Sequence, residues 1–203
     1  MFVSSIGMNI FWLTFLCLFV FTDGVDQRRL EKIPPVMKGF NVQGIYGTWY
    51  AAFRVAPCGW SKSGDFEDYQ LEFLDGGAKR MLVNLWARNT ICSAFSGIAF
   101  ATSVPGIYKI EDPIGDKFSG TFINVATDYK TFLIDYICTK MSLMGDKCDD
   151  ALLNVMTRVP NYMSKDAVYH VNNILMSTWG LTLDQMPRMK QQQSCRVSKQ
   201  HFF

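Results

Sequence analysis

Gly44-Ile45-Tyr46-Gly47-Thr48-Trp49-Tyr50-Ala51-Ala52-Phe53-Arg54 is the stretch on which the reading of the fold turns. Gly44 and Gly47 close a turn. Beyond them Trp49, Ala51, Phe53 and Val55 alternate with Tyr50, Ala52 and Arg54. A period of two is the signature of a strand with two distinct faces, so the first set is expected on one face and the second on the other. Two later segments add weight: Ala126-Thr127-Asp128-Tyr129 and Met156-Thr157-Arg158.

Outward from that strand, seven more runs carry strand patterns between turn signals. They lie at about 69–74, 80–87, 91–101, 107–111, 121–126, 131–138 and 151–158. Asp75-Gly76-Gly77 marks a tight hairpin, and Pro105-Gly106 and Asp128-Tyr129-Lys130 mark further turns. Eight short strands at this spacing predict an all-β domain, either a sandwich or an up-and-down barrel. Pro160 closes the strand region. Ser164 is placed to cap a helix over 165–179, with Val168, Val171, Ile174, Leu175 and Thr178 at helical spacing, and Gly180 ends it. Residues 25–43, with Ile33-Pro34-Pro35-Val36, read as an irregular lead-in.

At 203 residues the chain favours one domain, preceded by a removable leader over residues 1–24. Ile10 to Phe21 is almost wholly apolar, and Thr22 and Gly24 supply small residues before a cut after Gly24. No basic residue precedes the run. As an uncleaved anchor it is shorter than the roughly 20 residues a span needs. The domain then occupies 25–203, with the barrel at about 44–158 and a tail after the helix. The formal charge of +2 gives no reason to expect nucleic acid or a strongly anionic surface as partner. Five of six cysteines, Cys58, Cys92, Cys138, Cys148 and Cys195, follow the leader. A secretory route makes disulfides available, and an odd number leaves one thiol free or paired with another molecule.

The Gly47-x-Trp49 opening, the Thr127-Asp128-Tyr129 turn and the late Arg158, with eight strands and one helix, resemble the lipocalin family over about residues 40–195. The resemblance implies an eight-stranded antiparallel up-and-down β-barrel, the lipocalin calyx, with one C-terminal α-helix outside. It makes Gly47, Trp49, Asp128 and Arg158 scaffold residues, Trp49 plugging the closed end with Arg158 packed across it. A guanidinium over an indole contributes roughly 0.5–2 kcal/mol.

Within the family, the cysteine spacing is similar to that of plasma retinol-binding proteins. That pattern implies Cys138–Cys148 in one hairpin and Cys92–Cys195 to the tail. An apolipoprotein D-like pattern would instead give Cys58–Cys195. Spacing alone does not decide connectivity. The same resemblance assigns Phe53, Phe95, Ile110 and Phe122 to the ligand-lining wall. Phe73, Met81, Trp86, Tyr108, Phe132 and Tyr136 belong to a wider apolar pool from which the lining or the core is drawn. Asn154 stands where that pattern has an aromatic residue, which counts against retinol itself. It either binds a hydroxyl or keto group or faces outward.

The function so implied is a secreted, extracellular carrier. It would transport or sequester a small hydrophobic ligand, retinoid-like first, with fatty acids, sterols, bilins and carotenoids open. Burying about 300 Å² of apolar ligand yields roughly 7 kcal/mol before entropic costs. No cofactor, metal, nucleic acid or stable membrane insertion is expected, and a carrier protein, receptor or second copy remains a possible partner. Two alternatives stand beside it. One is a lipocalin that acts on proteins through its loops, Cys58 to Glu67 above all. The other is an enzyme, as in the prostaglandin D synthase branch, with Cys58 as nucleophile. His170 reads as a helix-face residue, and nothing resembles a nucleophile elbow or a phosphate loop.

Overall fold

A computed structural model describes residues 25–56, 66–88, 90–111, 119–192 and 195. The expected leader, Cys58 with most of the first loop, and the last eight residues lie outside these. Eight strands run in chain order: β1 (Gly47–Val55), β2 (Glu67–Asp75), β3 (Arg80–Arg88), β4 (Cys92–Ala101), β5 (Ile107–Glu111), β6 (Gly120–Thr127), β7 (Phe132–Met141) and β8 (Cys148–Thr157). Each pairs antiparallel with the next, and β1 pairs with β8, so the sheet closes into a barrel and no strand edge is left over its paired length. The expected barrel with one external helix is therefore the observed fold, and the sandwich is excluded.

Successive strand connections alternate between two ends. Trp49, Asp75, Thr127 and Thr157 mark the closed end. The β1–β2, β3–β4, β5–β6 and β7–β8 connections mark the mouth. Helix α1 (Val42–Ile45) and the lead-in before it cover the closed end. There Phe40 packs near Tyr108 and Tyr129, at 6.5 and 6.4 Å between ring centroids. Residues 25–43 are thus ordered, with a short 3-10 turn at Gln27–Glu31 that the sequence pattern did not signal.

Helix α2 (Lys165–Trp179) starts at Ser164, whose side chain accepts from the Ala167 N–H at 3.2 Å. It ends at Gly180 with φ +66°, a left-handed position that glycine takes without penalty. Its stripe is Ala167, Val171, Leu175 and Trp179, one residue per turn, laid on the outer face of β7 and β8. Those two strands are consequently buried on both faces. Alternation in exposure disappears: β7 reads buried from Phe132 to Tyr136 without a break.

Two apolar clusters result. The outer one joins α2 to Phe132, Ile134, Tyr136, Leu153 and Val155. The inner one lines the inside of the barrel and includes Trp49, Leu71, Phe73, Met81, Tyr108, Phe122, Leu133 and Met156. Tyr136, from the wider lining pool, belongs to the outer cluster. Its ring stacks on Trp179 at 5.9 Å and its hydroxyl donates to the Leu30 carbonyl at 2.7 Å. Phe132 lies outside with it.

The tail contributes more than a strap. β1 and β2 pair only from Gly47↔Phe73 to Tyr50↔Gln70 and then separate. Residues 187–192 fill the gap. The Arg54 N–H donates to Pro187 O at 3.1 Å, Met189 N–H to Ala52 O at 2.9 Å, and Asp68 N–H to Lys190 O at 2.8 Å. Met189 is buried in the inner cluster. Cys92–Cys195 anchors this segment over a separation of 103 residues, and Cys138–Cys148 bridges the β7–β8 hairpin.

Candidate functional site

At the closed end, the sequence brings Gly47, Trp49 and Arg158 together. The Arg158 guanidinium carbon lies 3.8 Å from the Trp49 ring centroid. Its Nη1 donates to Thr48 O at 3.2 Å, and its Nη2 to Gly44 O at 2.9 Å and Tyr129 O at 3.5 Å. The Trp49 indole N–H donates to Ile45 O at 2.7 Å. Gly47 has φ +96°, and a Cβ there would meet Arg158 Nη1 at 3.3 Å. Gly44 is packed tighter still, since a Cβ would stand 2.4 Å from the Tyr129 ring. Asp128 Oδ1 accepts from the N–H groups of Lys130, Thr131 and Phe132, and Oδ2 from the Thr131 hydroxyl. Burial pushes its pKa up, but these bonds together hold it below the ordinary carboxylate value. This end is a closed, satisfied plug.

The interior beyond the plug is different, and a backbone irregularity makes it so. Between Ala51 and Phe53 the β1–β8 register shifts: Ala51 opposes Met156, but Phe53 opposes Val155 and Arg54 opposes Asn154. One extra residue in a strand swaps the faces of everything after it. Trp49 and Ala51 point inward as the alternation requires. Past the bulge it is Arg54 that points inward, while Phe53 packs on the outer cluster under the tail. The assignment of Phe53 to the ligand wall is corrected accordingly.

Arg54 heads a row of polar residues on four consecutive strands around the closure. Arg54 on β1 pairs Asn154 on β8, Asn154 pairs Asp135 on β7, and Asp135 pairs Asn124 on β6. All four are buried, Asp135, Asn154 and Asn124 completely and Arg54 with 3 % exposure. Asn154 Nδ2 donates to Asp135 Oδ1 at 2.6 Å. The Arg54 guanidinium carbon sits 4.5 Å from the centroid of the Tyr69 ring, which reaches it from β2, and 5.9 Å from that of Phe66. Asn154, left open between inward and outward by the sequence, is inside.

This row is under-satisfied. Arg54 Nε and Nη1, Asp135 Oδ2, Asn154 Oδ1 and Asn124 Oδ1 are buried without a hydrogen-bond partner. Among the described residues no carboxylate forms an ion pair with Arg54. Each buried orphan costs about 1–3 kcal/mol, more when charged, so a cluster of five requires a reason. The electrostatics follow from burial. Asp135 is pushed up to about 7 by desolvation, against the pull of the Asn154 bond and the Arg54 charge. Desolvation lowers the Arg54 pKa, and it raises the Tyr69 phenol to about 12.

Around this row the wall is apolar. Ile110 and Phe122 face inward, Phe122 lying 5.7 Å from Phe73 and 6.3 Å from Tyr108 between ring centroids. Phe95 shares the inward parity of Ala99 and pairs with Leu85, yet stands 44 % exposed at the mouth. Trp86, by the same parity, is on the outer face of β3 opposite Gln70. His170 is exposed on α2. Among the described residues no group of three or more His, Cys, Asp and Glu side chains is arranged to hold a metal ion. In the same residues no helix is long and apolar enough to cross a membrane.

Solved structures share this fold. A major allergen of cockroaches, Per a 4, superposes with TM-score 0.62 at 22% identity, over 79% of this chain and 94% of the allergen. Lobster apocrustacyanin A1 gives 0.58 at 15% identity, over 76% and 81% of the two chains. The siderocalin Ex-FABP gives 0.56 at 15% identity, over 74% and 97%. No family model and no curated protein matches the sequence. The barrel and its helix are those of lipocalin structures.

Proposed function

We propose that this chain is a secreted lipocalin that carries or sequesters a small, largely hydrophobic molecule inside its barrel, without catalysis. The observation that carries the proposal is the inner wall. It is apolar from Trp49 toward the mouth, with a buried polar row in which Arg54 Nε and Nη1, Asp135 Oδ2, Asn154 Oδ1 and Asn124 Oδ1 lack partners. An apolar wall favours a ligand that leaves water, and an unfilled polar row favours one with a polar end. The partly exposed Phe95 at the mouth suits an entry position. The siderocalin of the same fold is described as working through dual ligand specificities, in keeping with a barrel interior that offers two chemistries.

Retinoid-like molecules, with a polyene body and one polar terminus, remain the first ligand class. Native mass spectrometry of the secreted protein, with an absorption spectrum and organic extraction, tests the proposal. A co-purifying molecule of small mass is the expected result. An empty protein whose tryptophan emission is unchanged by retinol, retinoate or fatty acid overturns it. A second reading has its own observation: Ile91, Leu143 and Met144 stand exposed on mouth connections. A protein partner read by these loops would then replace the small ligand.

A further inference from the structure

We propose that the ligand enters tail-outward, with an anionic monocarboxylate head seated on Arg54 and flanked by Asp135 and Asn154. The inference rests on the carrier reading above and names the ligand's head group. Arg54 is nine-tenths buried, aimed into the barrel, and retains two unfilled N–H donors. A planar guanidinium pairs best with a planar two-oxygen acceptor. One buried cation offsets one negative charge, which fits a carboxylate better than a doubly charged phosphate.

Asp135 completes the site's charge balance. As a neutral acid it donates a hydrogen bond through its own hydroxyl, and the site carries the single positive charge of Arg54. As a carboxylate it neutralises Arg54 and repels a second anion. The charged or titratable groups facing it are Arg54 from β1 and Tyr69 from β2; its strand neighbours on β6 and β8 are the amides Asn124 and Asn154. Binding of an acid therefore takes up or retains a proton at Asp135 and weakens as that proton is lost. The tail of the ligand runs along Phe122 and Ile110 toward Phe95.

The test uses the full disulfide-bonded secreted chain and three probes of one skeleton: hexadecanoate, its methyl ester and hexadecanol. Binding is followed by tryptophan quenching and calorimetry. Wild type is expected to bind the acid about tenfold or more tighter than the ester and the alcohol. Arg54→Met is expected to erase that preference, the acid losing its roughly tenfold advantage over the ester and the alcohol measured on the same variant. The acid preference should shrink between about pH 6 and 8, and Asp135→Asn should remove the shrinkage.

Equal binding of all three probes by wild type means that water alone satisfies the polar row. The head-group inference then falls while the carrier reading stands. Failure of every probe overturns the head-group inference, and the carrier reading falls with it only when retinol and retinoate also leave the tryptophan emission unchanged. An acid preference that survives in Arg54→Met, with native disulfides and an unchanged far-ultraviolet spectrum, removes Arg54 from the site. The wild-type comparison of acid with ester needs no variant, so a misfolded mutant does not blunt the test.

Discussion

Two arginines lie against aromatic rings in this barrel, and their surroundings are opposite. Arg158 at the closed end covers Trp49 and gives its protons to three carbonyls. Arg54, inside the wall, covers Tyr69 and leaves Nε and Nη1 without partners. The first is a finished contact that holds the plug. The second is a buried charge that forms no ion pair among the described residues and has only the Tyr69 ring and the raised Asp135 near it. Satisfaction, more than residue type or burial, separates scaffold from site here.

The largest way to break the comparison is to free the tail. Cys92→Ser should cost about 4–5 kcal/mol in the chain-entropy model, given the 103-residue separation. Its damage should be uneven. Amide exchange should rise at Arg54 and Asp68, whose N–H groups donate to the tail, and stay slow at Trp49. Uniform loss of protection would mean that the tail does not specifically order the Arg54 region.

Next comes pH. The folded pKa of Asp135, about 7, lies above its ordinary 3.8, so between those values the folded state holds more protons than the unfolded state. Its contribution is full below about pH 4 and is lost as pH rises through about 7, by on the order of 2–4 kcal/mol in the empty protein. Asp128 runs the other way. Its pKa is lowered, so its contribution is present above the ordinary carboxylate pKa and is lost as pH falls through the folded value. Urea midpoints at acid and neutral pH check both. Asp135→Asn should flatten the neutral limb alone.

A smaller effect separates the two arginines directly. Arg158→Met should lose about 2–3 kcal/mol, because three carbonyls and an indole face lose their partner. Arg54→Met should be neutral or stabilising, since it removes a buried, unpaired charge while keeping volume. Equal losses in chemical denaturation would erase the distinction. The smallest is Gly44→Ala, expected to cost about 1–3 kcal/mol by pushing a methyl into the Tyr129 ring. A midpoint unchanged from wild type would show that the plug yields.

Much of the barrel was legible because its signals are local. Alternation along β1 and β2 and turn signals around the rest marked all eight strands, and Ser164 and Gly180 bracketed α2 to the residue. The site was half legible. Ile110, Phe122 and Asn154 lie on the inner face, and Asn154 stood out as a polar residue at an expected aromatic position. Phe53 and Arg54 exchanged places, because a one-residue bulge leaves no trace in side-chain periodicity, and the sequence around it, Ala51-Ala52-Phe53, is apolar on either reading. Asp135 was not singled out at all. In Phe132-Leu133-Ile134-Asp135-Tyr136 a lone acid among apolar residues was the available signal, and burial on both faces of β7 hid which way it pointed.

By itself the sequence determined the strands, the caps, the turns and the order of elements, since each depends on neighbours a few residues away. Tertiary structure alone decided which of two faces became the interior past the bulge, that the tail wedges between β1 and β2, and that four distant polar residues share one row. Those outcomes depend on barrel closure and register, where a shift of one residue inverts every face and no local pattern records it.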